Sequence, residues 1–386
     1  MIRIIIALEC NPMQRIFLVS MMLSMLLFGC ESGSAPLTSK QTVALSAEEL
    51  IGKALFFDST LSSPVGQACA SCHSPQHGFA DPDKQFPVSQ GANPAHFGHR
   101  NAPSVAYAAF SPVFHFDKEE GLYIGGQFVD GRAATPEAQA LLPMLNPIEM
   151  HNASAEEIVA KVREADYAEQ LRSVYGAEAL QDSAQAMQYI TQAIAAYERS
   201  AEVVPFSSKY DLYLDGKLSL SAQELRGLQV FESEKKGNCA ACHPNTRGGD
   251  GSAPLFTDFS YDNLGVPKNK LNPFYAMPAE FNLHGKAYRD RGLGGVLNKR
   301  DEDGKFKVPT LRNIALTAPY MHNGVFASLE DVVAFYNSRD TDTRWEAAEV
   351  KDNVNSEELG DLGLSEEEMQ DLVAFLQTLS DGYSPD

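Results

Sequence analysis

Apolar residues recur every three to four positions in a few separate stretches of this chain, and most of those stretches open on a serine followed three residues later by an acid. Ser46-Ala-Glu-Glu-Leu-Ile-Gly-Lys-Ala-Leu-Phe-Phe57 shows this pattern and predicts a capped amphipathic helix. Residues 156–197 keep a helical period over two or three segments, with few Gly or Pro to interrupt it. A further capped segment is expected over 219–231, and two more over 328–336 and 365–379, which open on Ser-x-x-Asp and Ser-x-x-Glu. Between residues 243 and 308 the chain is instead rich in Gly, Pro, Asn and Asp, which predicts long ordered loops of the kind that wrap a ligand or build a site. Alternation of period two is scarce, so the expected fold class is mainly α.

The strongest apolar run lies outside these helices. Met13-Gln-Arg-Ile-Phe-Leu-Val and then Met21 to Gly29 form a short basic start followed by an apolar stretch, the layout of an export signal, with translation starting at Met13. The run is too short and wrongly flanked for a transmembrane helix. Leu27-Phe-Gly-Cys30 resembles a lipoprotein cleavage box, which would make residues 1–30 the signal, Cys30 the lipid-modified terminus, and 31–45 a polar tether. Ordinary signal cleavage is the alternative, and both readings lead to the periplasm. The formal net charge of −20 argues against nucleic-acid binding and suits a basic partner steered by the protein's field.

Cysteine usage then narrows the chemistry. Of six cysteines, Cys10 and Cys30 lie in the N-terminal segment, and the other four form Cys69-Ala-Ser-Cys72-His73 and Cys239-Ala-Ala-Cys242-His243. Two thiols with a directly following imidazole are what covalent attachment of a c-type haem requires: thioether bonds to the porphyrin and a proximal iron ligand. A zinc half-site or a thioredoxin-like pair would not need the His, still less twice. No disulfide framework remains. At 386 residues the length suggests two domains, with one haem each.

Several segments together resemble the bacterial di-haem cytochrome c peroxidase and MauG family. They are Leu55-Phe-Phe-Asp58, both haem motifs, Arg100-Asn-Ala-Pro-Ser104, Phe128-Val-Asp-Gly-Arg132, Asn146-Pro-Ile-Glu-Met150, Pro309-Thr-Leu-Arg-Asn313 and Pro319-Tyr-Met-His-Asn-Gly324. The resemblance implies two cytochrome c-like haem domains, here 46–205 for the peroxidatic haem and 206–386 for the electron-transfer haem, with a calcium ion between them. It implies reduction of hydrogen peroxide with electrons from a small cytochrome or copper protein. The MauG-like alternative is oxidation of a residue on a protein substrate, and a third reading is a plain electron-transfer cytochrome.

The same resemblance assigns residues. Many members close the first haem with a displaceable loop histidine; matching Pro87-Val-Ser-Gln-Gly91 to that loop puts Ala92 at its position, which implies an open iron, with His96 and His99 as alternative ligands. Glu149 takes the place of the acid–base group and Gln139 that of the pocket amide. Outside the resemblance, Glu149 reads as a solvated carboxylate at a helix start. Fourteen positions after His322 stands Tyr336, where MauG-like members carry a tyrosine on the second iron and the peroxidases proper a methionine. Met321 and Met277 are the other candidates, and by spacing alone Tyr336 simply extends the apolar stripe Leu329, Val332, Val333. Asn101, Thr317 and Pro319 match the calcium site. One departure is Val129, where the family has an inter-haem tryptophan; Phe128, Tyr123 or Tyr320 would have to serve instead, since the only tryptophan is Trp345.

Overall fold

The computed structural model describes residues 44–384, and its first element, α1 (Ala47–Phe57), begins where the serine pattern predicts. Ser46 Oγ accepts from the Glu49 amide at 3.2 Å, while the Glu49 carboxylate accepts from the Ser46 amide at 2.6 Å, satisfying two amides that the first turn would leave unpaired. Then follow α2 (Cys69–Cys72), α3 (Pro136–Leu145), α4 (Ala155–Glu164), α5 (Ala168–Tyr175) and α6 (Ser183–Glu198). The second half holds α7 (Lys209–Leu214), α8 (Ala222–Glu232), α9 (Gly292–Leu297), α10 (Leu329–Ser338) and α11 (Glu366–Gln377). Ser221/Glu224 and Ser365/Glu368 repeat the capping box for α8 and α11. The segment expected from 219 therefore starts two residues later, because Ser221 and not Ser219 has an acid three positions on. Strands β1 (His115–Asp117) and β2 (Leu122–Ile124) form one antiparallel hairpin, and β3 (Tyr261–Asp262) pairs with β4 (Phe306–Lys307). The fold is mainly α, with long ordered loops. Cys10, Cys30 and the 31–43 part of the expected tether lie outside the described residues.

Two helix crossings organise the interior, and both depend on a glycine. α1 packs on α6 with Gly52 against the Ala193 carbonyl, and α8 packs on α11 with Gly227 against the Asp371 carbonyl. A Cβ at either position would collide with the facing backbone, so only glycine permits the approach. Around the crossings lie two hydrophobic clusters. One draws on Ile51, Leu55, Phe56, Ile158, Val162, Ile190, Ile194 and Tyr197, and the other on Phe231, Phe256, Val333, Phe335, Phe375 and Leu379.

Arg312, only 1% exposed, ties the clusters together. Its guanidinium donates to both Asp211 oxygens at 2.9 and 3.0 Å and to the Pro254 carbonyl at 2.8 Å. The rings of Tyr107 and Phe206 lie 4.8 and 4.5 Å from the same group. Three hydrogen bonds and two flanking rings hold this buried charge at one geometry, and loss of Asp211 would leave it uncompensated.

Candidate active site

Both Cys-x-x-Cys-His motifs open onto one cavity of about 490 Å³ that runs through the molecule and reaches both halves of the chain. Cys69, Cys72 and His73 line it at one end; Cys239, Cys242 and His243 line it at the other. The imidazoles are oriented by the backbone. His73 Nδ1 lies 3.2 Å from the Phe79 carbonyl, and His243 Nδ1 lies 2.7 Å from the Phe256 carbonyl. A carbonyl only accepts, so Nδ1 carries the proton in each ring and Nε2 keeps a free lone pair, the arrangement that iron ligation needs. Burial pushes all four motif thiols up to about 12, far from the activated thiolates of redox pairs. No group of three or more His, Cys, Asp or Glu among the described residues could hold a metal ion. The donor set thus fits two covalently bound haems, each with one imidazole ligand.

At the first motif the cavity wall carries Glu149, Gln139 and Gln67. Glu149 follows α3 on a tight turn: the Asn146 side chain accepts from the Ile148 amide at 3.1 Å and the Asn146 carbonyl from the Glu149 amide at 3.0 Å. The Glu149 carbonyl in turn accepts from the Ala92 amide at 2.8 Å, and a Cβ at Gly91 would strike the Ile148 carbonyl. The 87–92 loop is therefore clamped directly onto the Glu149 turn. Burial raises the Glu149 carboxyl above the ordinary range, while Arg132 and Asn146 pull the other way. The solvated helix-start reading fails, because the turn faces the cavity. Arg132 is held by Asp130 at 2.9 Å, and its guanidinium lies 3.4 Å over the Phe128 ring.

Of the two alternative loop histidines, one lies off the cavity wall and the other on it. His96 is buried outside the cavity wall; its Nδ1 bonds the Pro147 carbonyl at 3.0 Å and its Nε2 meets Asn93 Nδ2 at 3.3 Å, so both nitrogens are engaged. His99 does line the cavity, but it packs on Phe274 and Tyr288 and lies near Arg100 and Asp290. Burial lowers both His99 and His322 to about 4, and His322 Nε2 is buried without a partner. Asp290 would be raised by burial, but Arg100, 2.6 and 2.7 Å away, holds it well below the usual carboxylate range.

At the second motif Tyr336, on α10, lines the cavity together with Met321, Leu329, Val332 and Val333. The apolar stripe and the ligand position are thus the same surface. Burial pushes the Tyr336 phenol well above its ordinary value, and the nearby motif thiols add to this. Met277 is buried elsewhere and does not line the cavity. Val129 and Phe128 line the wall, as does Tyr320, whereas Tyr123 stacks on Phe114 at the β1–β2 hairpin. Asn101, Thr317 and Pro319 also meet on the wall, with Asn101 Nδ2 donating to the Pro319 carbonyl at 2.6 Å. Lys84 bonds the neighbouring Ala318 carbonyl and already brings a cation to this turn.

Sequence reasoning missed three groups here. Gln67, two residues before Cys69, has a buried Oε1 without a partner and donates to the Gln90 carbonyl at 2.8 Å. Glu198, at the end of α6, is raised by burial to about 8 and lines the wall with Cys69. Lys307, on β4, is lowered by burial to about 8. Only Gln67 carried a signal, its proximity to the motif.

Comparison with known proteins bears on the whole arrangement. A family described as di-haem cytochrome c peroxidase matches residues 46–219. The methylamine utilization protein MauG of Paracoccus denitrificans is 37% identical over 354 residues, covering 87% of this chain and 89% of that protein. Cytochrome c peroxidase Ccp of Escherichia coli is 33% identical over 350 residues, covering 90% of this chain and 60% of that protein. The crystal structure of the diheme peroxidase BthA from Burkholderia thailandensis superposes with a TM-score of 0.77 at 35% identity, over 88% of this chain and 87% of that one.

Proposed function

The chain belongs to the bacterial di-haem cytochrome c peroxidase and MauG family, and on that premise we propose a periplasmic oxidoreductase that reduces hydrogen peroxide to water. Cys69, Cys72 and His73 would hold the haem that serves peroxide. Cys239, Cys242 and His243 would hold the haem that serves a small redox protein as electron donor. Bound, the haems supply an iron that takes peroxide and a second iron that stores and relays electrons. The observation that carries the reading is the half-buried Glu149 carboxyl in the cavity wall beside the first motif, with both nitrogens of His96 engaged elsewhere.

Glu149, whose proton affinity is raised by desolvation, can accept a proton from peroxide and return it to the departing oxygen. The Gln139 and Gln67 amides offer donors and acceptors to orient a small polar substrate; Gln67 Oε1 has no other partner. Arg132, paired with Asp130 and stacked on Phe128, keeps a positive charge near the carboxyl and limits how far its affinity for protons rises. Asn101, Thr317 and Pro319 would hold a calcium ion if the Asn101 amide turned its oxygen inward. Cys30 would anchor the protein to the membrane by a lipid. The net charge of −20 suits a basic electron donor.

A MauG-like role, oxidation of a residue on a partner protein, is favoured by one observation: Tyr336 in the wall at the second motif. Ligation by its phenolate would donate charge to the iron and favour higher oxidation states. Val129 weighs against carrying that role over whole, because valine cannot relay an oxidising equivalent between the haems. Peroxide titration of the purified holoprotein, with and without a reduced small cytochrome, tests both. Rapid donor oxidation supports the peroxidase, a persistent oxidised spectrum without donor turnover supports the MauG-like role, and inertness towards peroxide sinks both.

A further inference from the structure

The single tryptophan of this chain lies beyond the second motif and not between the two motifs. Its neighbours form a short aromatic series: Tyr336, on the cavity wall, has its ring 6.1 Å from Phe335, and Phe335 lies 5.3 Å from Trp345 in an edge-on contact. Phe335 is fully buried, whereas Trp345 is only half-buried. The indole N–H donates to Ser338 Oγ at 3.0 Å, and that hydroxyl in turn donates to the Ala334 carbonyl at 3.0 Å. The Arg344 guanidinium lies 4.5 Å over the indole, but it is 56% exposed and paired with Asp342 at 3.1 Å, so solvent and counter-charge screen it.

We propose that Trp345 is a surface redox relay of the second haem, through which electrons from an external one-electron donor reach it and at which the protein oxidises itself when no donor is present. The proposal rests on the peroxidase reading above. Trp345 gives one electron across Phe335 and Tyr336 to the peroxide-oxidised second haem, whose iron is reduced by one unit. The indole radical cation keeps its N–H, because Ser338 is no base, and a docked donor restores it with one electron. Without a donor, a second one-electron loss follows; water adds to the ring, two protons leave to solvent, and Trp345 gains one oxygen atom. The two electrons removed match the two oxidising equivalents of one peroxide. An indole suits this relay because it can lose an electron without a base to take its proton. Tyr320, the other hydroxylated ring on the wall in this half, donates its proton to the Ile314 carbonyl, which cannot accept it outright.

The test treats the holoprotein with peroxide in isotope-labelled water, without donor, and locates added oxygen by peptide mass analysis while the second-haem spectrum is followed. Expected are a water-derived oxygen on Trp345 and, in Trp345→Phe, loss of that adduct with a severalfold slower return of the second-haem spectrum. Trp345 left unmodified while oxygen accumulates on other residues would overturn the proposal, and that arm needs no variant. So would an unchanged return rate in a folded Trp345→Phe protein. If peroxide leaves the second-haem spectrum unaltered in the native protein, the peroxidase reading falls as well, which separates the two failures.

Discussion

Replacing Glu198 by Gln isolates the effect of one buried carboxyl on the whole fold. Glu198 ends α6, is 6% exposed and lines the cavity wall beside Cys69; the adjacent Arg199 is paired with Glu137 at 2.7 Å and not with it. Burial lifts its titration from the ordinary 4.5 to about 8. At about 1.4 kcal/mol for each tenfold change in proton affinity, the ionised form costs the folded protein about 5 kcal/mol. The direction follows from linkage: between 4.5 and about 8 the folded state holds a proton that the unfolded state has released, so stability falls as pH rises through that window. Below 4.5 neither state is ionised and the effect vanishes; above about 8 it is present in full. Gln has a similar shape and no such proton. Urea unfolding of the two holoproteins, run from below pH 4.5 to above pH 8, should show the variant gaining on the native protein across the window and then levelling off. A difference independent of pH would refute the argument, and would mean that Glu198 is solvated or paired in the holoprotein.

Glu149→Gln, which keeps the shape and removes the proton, should lower steady-state peroxide turnover about 100-fold or more with little change in thermal midpoint. Gly227→Ala places a methyl against the Asp371 carbonyl and should destabilise the α8–α11 crossing by about 1–3 kcal/mol or more in denaturant unfolding, although alanine is the better helix former. Tyr336→Met should raise the reduction potential of the second haem in a spectroelectrochemical titration if the phenolate ligates it, and leave it unmoved if Tyr336 only packs. If Asn101, Thr317 and Pro319 hold calcium, removing it with a chelator should depress turnover and alter inter-haem electron transfer. An unaffected rate would indicate that Lys84, at the Ala318 carbonyl, supplies the charge this turn needs.

The parts legible in the chain itself are those set by neighbours in sequence. Capping boxes at Ser46 and Ser365, the helical periods and the two haem motifs each depend on residues within a few positions, and all of these appear in the fold. Resemblance carried Glu149, Gln139 and Tyr336 to the site, and each lines the cavity. The misjudged points share one cause. Met277 stood as a candidate ligand, and Glu198 and Lys307 drew no notice, because none of those judgements included burial. The Ser219 start failed for a smaller reason, a misplaced cap.

What the sequence by itself determined is the chemistry available: four thiols and two imidazoles at haem spacing, one indole, and a valine where the family carries a tryptophan. What only the tertiary structure decided is which groups share a wall and in what state. Nδ1 bonds to backbone carbonyls beyond each motif leave Nε2 of His73 and His243 free, the clamp of Ala92 on Glu149 joins segments far apart in the chain, and desolvation moves Glu149 and Glu198 towards neutrality. Solvation and through-space contact are properties of the packed interior, and no local spacing encodes them.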